Sequence, residues 1–259
     1  MIKQAIIPLA GLGTRLLPLT SVFAKELLPI NGKPGIEYIL DECIDAGIKE
    51  IVFIISTKKE MIKKYFYSDK FYKNIIKKKK DQRLIYEYKK ILNYKKKIKF
   101  VYQNIPKGTG DAVLKTQKYI KNKYFLMLLP DDLIINKNCS KAMIKVHKKY
   151  NASVMASMKV NKKTVSRWGI LSVKNKKKDY FKIKDVVEKP SIKKAPSNFA
   201  IIGRYILPFQ IFDEIKRLNA GQGGEIHITD AIKNLIHKKY NFFSNIFKGK
   251  YLDCGTLNG

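Results

Sequence analysis

No apolar stretch in the 259 residues approaches the ~18 needed to cross a bilayer, so a membrane-spanning helix and a membrane partner are not expected. The opening residues form no signal-peptide core, because Pro8, Gly11 and Arg15 interrupt them; a cytoplasmic protein is the expectation. Cysteine is scarce. Cys43, Cys139 and Cys254 are odd in number, far apart and match no metal-ligand spacing, which suits reduced thiols. His147, His227 and His237 stand alone and read as surface or packing residues, so no Ser/His/Asp or Cys/His set suggests covalent catalysis. Acidic residues are few as well, 21 against 53 Lys and Arg, leaving a net charge of +32.

That charge attracts polyanions, yet only five of the 53 are arginine: Arg15, Arg83, Arg167, Arg204 and Arg217. A nucleic-acid surface recruits Arg for bidentate contacts. Here Lys accompanies Ile, Asn, Tyr and Phe, the residues of A- and T-rich codons. The lysines therefore read as a solvated face, and no specific nucleic-acid partner is expected.

What the chain does have begins at its N-terminus. Ala5 to Leu9 is an apolar run that reads as a buried strand. It empties into Ala10-Gly11-Leu12-Gly13-Thr14-Arg15, where glycine lets backbone N–H groups approach an anion. Arg15 and Lys25 then supply two cations to bracket a polyphosphate. The third glycine of the dinucleotide fingerprint is missing, because Leu16 occupies its position, and no Gly-Lys-Ser/Thr closes a P-loop. A strand, a glycine turn and two cations suit a nucleoside triphosphate that releases pyrophosphate.

The fuller signature, Gly-x-Gly-Thr-Arg-x-x-Pro followed by Lys25-Glu26-x-x-Pro29, resembles the nucleotidyltransferases that act on sugar 1-phosphates, and within them the bacterial uridylyltransferase branch. The resemblance runs from Lys3 to Gly255. It passes through Gly32-Lys33-Pro34, Lys107-Gly108-Thr109-Gly110, Leu129-Pro130-Asp131-Asp132, Val187-Glu188-Lys189-Pro190, the Ser197–Tyr205 segment, Gly224–Ala231 and Asp253-Cys254-Gly255.

The resemblance implies attack by glucose 1-phosphate on the α-phosphorus of UTP. It implies Arg15, Lys25 and Lys189 as catalytic cations, and Ala10, Gly11, Gly13, Thr14, Gln103 and Gly108 around the nucleotide. Gln103 would pair both edges of the uracil, donating to O4 and accepting from N3–H. Gly169, Glu188, Gly203 and Glu225 would meet the sugar. Asp131 lies after an apolar run, where α/β sheets place ligands, and a hard cation on a carboxylate and phosphate oxygens fits magnesium. The resemblance adds Asp253 as the second Mg2+ ligand. Asp132 reads as a turn cap. A related thymidylyltransferase and a degenerate non-catalytic homologue remain open alternatives.

Four positions depart from the family pattern: Ser21, Ala24, Asp111 and Trp168. The chain also ends four residues after Gly255, before a helical segment the family adds, which leaves a homo-oligomer open.

Alternating strand and helix signals predict an α/β fold: a mostly parallel Rossmann-like sheet flanked by helices, with a smaller mixed sugar-binding subregion. One domain over 1–259 is expected, with about 1–150 for the nucleotide and about 151–259 for the sugar phosphate. Helices are expected at Ile36–Ala46, Asp111–Ile120 and from an N-cap at Thr229-Asp230 to about Lys239, and the polar Met61–Lys97 stretch is read as helical. Strands are expected at Ile51–Ile55, Ile98–Tyr102, Tyr124–Leu129, Ala152–Val160, Trp168–Val173, Phe181–Val187 and Asn198–Leu207.

Overall fold

The computed structural model describes residues 2–221 and 224–256. The first apolar run forms β1 (Gln4–Pro8), and a small β2–β3 hairpin (Pro29–Ile30, Lys33–Pro34) leads into α1 (Gly35–Asp45). After β4 (Glu50–Ile55), the lysine-rich stretch becomes α2 (Glu60–Tyr67), α3 (Asp69–Lys79) and α4 (Gln82–Lys95). Then come β5 (Ile98–Tyr102), α5 (Gly108–Leu114), β6 (Tyr124–Leu128), β7 (Asp132–Ile135) and α6 (Cys139–Tyr150). The remainder contributes β8 (Ser153–Lys159), β9 (Gly169–Lys174), β10 (Tyr180–Glu188), β11 (Phe199–Pro208), α7 (Ile211–Lys216), α8 (Ile228–His237), β12 (Phe242–Ile246) and β13 (Lys250–Asp253).

Nine strands make one sheet in the order β5-β4-β1-β6-β11-β8-β12-β10-β9. The first four are mutually parallel. From β11 onward the sheet is mixed: β11 runs antiparallel to β6 and β8, and β12 is parallel to β8 but antiparallel to β10. Edge strand β9 pairs with β10 and also touches β11 through Ile170 and Ala200, so this half folds back on itself. β7 and β13 form a separate antiparallel pair. The all-parallel part is built from the first half of the chain, and most of the mixed part from the second.

The continuous apolar strands follow from burial on both faces. Along β1, Ala5 and Ile7 face one core, with Ile36, Leu40 and Phe66 of α1 and α2. Ile6 faces the other, with Val113, Phe212 and Leu235 of α5, α7 and α8. Among the described residues, no helix is long and apolar enough to cross a membrane.

Two helix expectations shift. The helix expected over 111–120 starts three residues early at Gly108, ends at Leu114, and is followed by a separate 3-10 turn at Gln117–Tyr119. Helix α8 starts at Ile228 with His227 at its N-cap and no side-chain cap bond. Thr229 does not cap it. Its hydroxyl donates instead to Glu188 Oε2 at 2.8 Å.

One buried ion pair links the layers. Arg204 of β11 is fully buried; its Nε lies 3.0 Å from Glu42 Oε2 and its Nη2 2.9 Å from the same oxygen. Glu42 Oε1 accepts from the Ser140 N–H at 3.0 Å and hydroxyl at 2.6 Å, joining α1 to α6. Arg204 Nη1 donates to Leu129 O at 3.0 Å and Gly203 O at 3.2 Å, and so props up the strand end that precedes Asp131.

Candidate active site

Parallel strands present all their C-terminal ends at one edge, and the loops leaving them define the crevice in such sheets. Here those loops carry Ala10 and Gly11 after β1, Gln103 after β5, and Leu129-Pro130-Asp131 after β6. A smaller lobe of about 230 Å³ is lined by Ala10, Gly11, Lys25, Gln103 and Gly108, all expected around a nucleotide. A larger lobe of about 490 Å³ is lined by Gly169, Glu188, Lys189 and Gly203, all expected around a sugar, and by Arg15 and Asp253. Asp131, Glu225, Thr109 and Leu129 line both, so Asp131 stands at the junction. Of the sequence-expected residues, Gly13 and Thr14 line neither lobe. Gly13, at φ +71°, starts the 3-10 turn Thr14–Leu16 that carries Arg15, and Thr20 Oγ1 donates to its carbonyl at 2.8 Å.

Carboxylates and cations pair at the junction and beside it. Lys25 Nζ donates to Asp131 Oδ2 at 2.8 Å, and Arg15 Nη2 lies 3.9 Å from that oxygen. Burial favours a neutral Asp131, but the Lys25 charge and hydrogen bond outweigh it and hold this carboxyl below the usual range. For Lys25, burial favours the neutral amine, yet Asp131 and Glu26 together keep its pKa above the ordinary value. Arg167 Nη2 sits 3.5 Å from Asp253 Oδ2.

Asp132 behaves oppositely to Asp131. It opens β7 rather than capping a turn, and pairs across to Asp253 of β13. The Tyr251 hydroxyl donates to its Oδ1. Burial, then the neighbouring Asp131 charge, push its carboxyl up to about 7. Gly203 explains how it fits: a Cβ there would lie 2.2 Å from Asp132 Oδ2, so only glycine lets β11 pass.

Asp131 Oδ2 and Asp253 Oδ1 also converge. A Cβ on Gly255 would lie 3.2 Å from the first and 3.1 Å from the second. Among the described residues, no group of three or more His, Cys, Asp or Glu forms a metal cage. Magnesium does not need one, since it is held by one or two carboxylates together with phosphate oxygens and water. Two converging carboxylates, an all-oxygen donor set, fit that chemistry.

Lys189 has a left-handed backbone, φ +42°, which a non-glycine residue adopts at a cost of roughly 1–3 kcal/mol. Its N–H bonds to Trp168 O at 3.0 Å. No hydrogen bond or ion pair to a described side chain engages its ammonium, which is left to the larger lobe. Gly108, at φ +93°, is held to glycine by packing. A Cβ would lie 2.6 Å from Ile226 O, so glycine lets the 107–110 loop pack on the backbone beside Glu225. Gln103 differs from expectation. Its Nε2 donates to Asp111 Oδ2 at 2.7 Å and Gly108 O at 3.2 Å, leaving no amide hydrogen to pair with a uracil O4.

Sequence reasoning missed Arg167, Thr229, Tyr251 and His227 as lining residues of the larger lobe. One signal was present. In a chain where lysine replaces arginine almost everywhere, Arg15 and Arg167 line the cleft and Arg204 braces it from beneath. Those are positions where a rigid fork of donors does what a flexible ammonium cannot.

Comparison with known proteins agrees with this geometry. Residues 4–259 match the family model described as nucleotidyl transferase. A UTP–glucose-1-phosphate uridylyltransferase of Mycoplasma pneumoniae is 39% identical over 262 residues, spanning 100% of this chain and 89% of the relative. A crystal structure of UDP-glucose pyrophosphorylase complexed with UDP-glucose is 35% identical and superposes with a TM-score of 0.86, covering 100% of this chain and 95% of the other. UTP-bound UGPase from Acinetobacter baumannii is 30% identical with a TM-score of 0.90, covering 100% and 90%. With a matching family model over nearly its whole length, relatives of this identity and two lobes meeting at Asp131, the chain belongs to the nucleotidyl transferase family.

Proposed function

We propose that this chain makes UDP-glucose and pyrophosphate from UTP and glucose 1-phosphate. The observation that carries the reading is the pair of adjoining lobes sharing Asp131, one lined by the glycine loop and Gln103, the other by Glu188 and Lys189. The names of its relatives point to the same reaction.

A phosphate oxygen of glucose 1-phosphate attacks the α-phosphorus of UTP, and the bond to the bridging oxygen of the β-phosphate breaks. Such a transfer needs alignment and charge neutralisation rather than a covalent intermediate. The uridine rests in the smaller lobe, with its triphosphate across the glycine loop. Lys25 and Arg15 then release Asp131 in part and meet the phosphates, stabilising the departing pyrophosphate. Glu188, held by Thr229, accepts from sugar hydroxyls. Lys189 holds the sugar phosphate, and its strained backbone fixes where that charge sits. Asp131 and Asp253 would hold one Mg2+, which supplies positive charge to the phosphate oxygens. We place the enzyme in the cytoplasm.

Incubating the protein with UTP and glucose 1-phosphate, with and without Mg2+, tests this by pyrophosphate release. Magnesium-dependent release supports the reading, and none under any condition would sink it. Arg15→Ala should cost roughly 10²–10³ in kcat, the scale for losing one preorganised charge-stabilising group. Wild-type turnover in that variant would remove Arg15 from the site. Lys189→Ala should raise the KM for glucose 1-phosphate and lower kcat, while UTP affinity measured without sugar stays within about twofold, since Lys189 lines only the larger lobe. A variant that loses UTP affinity instead would reassign Lys189 to the nucleotide.

A further inference from the structure

Gln103 leaves the end of β5 with its N–H on Ile55 O at 2.8 Å, and the residue is buried at the wall of the smaller lobe. Its side-chain nitrogen donates to Asp111 Oδ2 at 2.7 Å and to Gly108 O at 3.2 Å. A carboxylate and a carbonyl are both pure acceptors, so chemistry alone dictates that the amide nitrogen points at them and both its hydrogens are spent there. No hydrogen bond from a described residue reaches Oε1, and that atom is not a buried orphan either. It therefore opens onto the lobe as a bare acceptor. Asp111 is itself held on α5: its side chain is 15% exposed, and its other oxygen lies 3.9 Å from Lys115 Nζ one turn along the helix.

We propose that Asp111 is a positioning residue for base selection: by locking the Gln103 amide with its oxygen toward the lobe, it makes the site accept pyrimidines that carry an N3–H and reject those that do not. The proposal rests on the uridylyl-transfer reading above. Uracil and thymine both donate from N3 and pair with Oε1. Cytosine presents a lone pair at N3, so two acceptors would face each other inside a partly desolvated lobe, each left unpaired. Without the Asp111 carboxylate, one of the two restraints on the amide is gone. The side chain can then turn over and offer NH2 to cytosine N3.

The test measures kcat/KM for UTP, CTP and dTTP, each with glucose 1-phosphate, in the wild type, Asp111→Asn and Asp111→Glu. The wild type should prefer UTP over CTP by roughly 10³-fold or more, the scale on which a hydrogen-bonding pocket rejects a mismatched partner. Asp111→Asn should shrink that preference at least about tenfold, because its own amide can donate to a turned-over Gln103. The UTP-to-dTTP ratio should not move, since both bases share the N3–H, and Asp111→Glu should restore most of the lost discrimination. A purely structural role would lower all three nucleotides together and leave the UTP-to-CTP ratio unchanged, and that result overturns the proposal while leaving the uridylyl-transfer reading standing. A wild type inactive with every pyrimidine triphosphate overturns both.

Discussion

Asp131→Asn should lower kcat by about 10³-fold or more, corresponding to roughly 4 kcal/mol of lost transition-state stabilisation. Asparagine keeps the shape of the side chain and removes its charge at a carboxylate that lines both lobes and pairs with Lys25. Two effects follow. The junction loses a hard oxygen donor suited to a divalent cation, and Lys25, 12% exposed at its side chain, loses its 2.8 Å partner. The fold should survive the change, because an opposing effect offsets the loss of that ion pair. The Asp131 charge is what, after burial, raises the Asp132 carboxyl to about 7, so removing it relieves a repulsion beside β7. Pyrophosphate release and thermal unfolding measured on the same sample check both halves. Turnover within tenfold of the wild type at unchanged Mg2+ dependence would take Asp131 out of the reaction centre.

Glu42→Ala should lower stability by about 3–5 kcal/mol, a large share of the roughly 5–15 kcal/mol of a typical domain. The reason is the residue left behind. Arg204 has no exposed side-chain surface, so its guanidinium would remain buried without a counter-charge. The Ser140 N–H and hydroxyl would also lose their acceptor. Replacing the whole pair with apolar residues should be milder than removing the carboxylate alone, since the buried charge disappears with it. Glu42→Leu with Arg204→Met should therefore recover much of the loss in a urea titration. Activity should not return with stability, because Arg204 also holds Leu129 O and Gly203 O at the base of the cleft. A Glu42→Ala midpoint within about 1 kcal/mol of the wild type would show that the pair does not brace the fold.

The first half of the chain was readable because its signals are local. Ala5–Leu9, Ile51–Ile55, Ile98–Tyr102 and Tyr124–Leu129 each became a strand to within one residue at either end; the continuous apolar runs are buried along nearly their whole length, while β5 at the sheet edge leaves Lys99 and Tyr102 exposed. The glycine loop, its two cations and the Asp after β6 are likewise read from spacing, because parallel strands bring their C-terminal ends to one edge whatever lies between them. The motifs of the second half, Glu188-Lys189, Gly203 and Asp253, were located by resemblance, and all line the larger lobe.

Other features depend on contacts that sequence spacing does not carry. The pairing of β7 with β13 joins residues more than a hundred positions apart, and it alone sets Asp132 opposite Asp253. The short segment Phe242–Ile246, Phe-Phe-Ser-Asn-Ile, became β12 where β8 and β10 offered it ladder partners on either side, a placement that depends on strands remote in the chain. Thr229 looked like a helix cap, and Gln103 like a residue free to pair both edges of a base. Each had a carboxylate brought to it by tertiary folding, Glu188 and Asp111, and spent its hydrogens there. The sequence by itself determined the parallel sheet, the anion loop and the inventory of charges, since those rest on backbone conformation and on apolar runs within a few residues. Only the tertiary structure decided which charge faces which. Opposite signs pair, as Lys25 does with Asp131, according to distances of a few ångströms between segments remote in the chain.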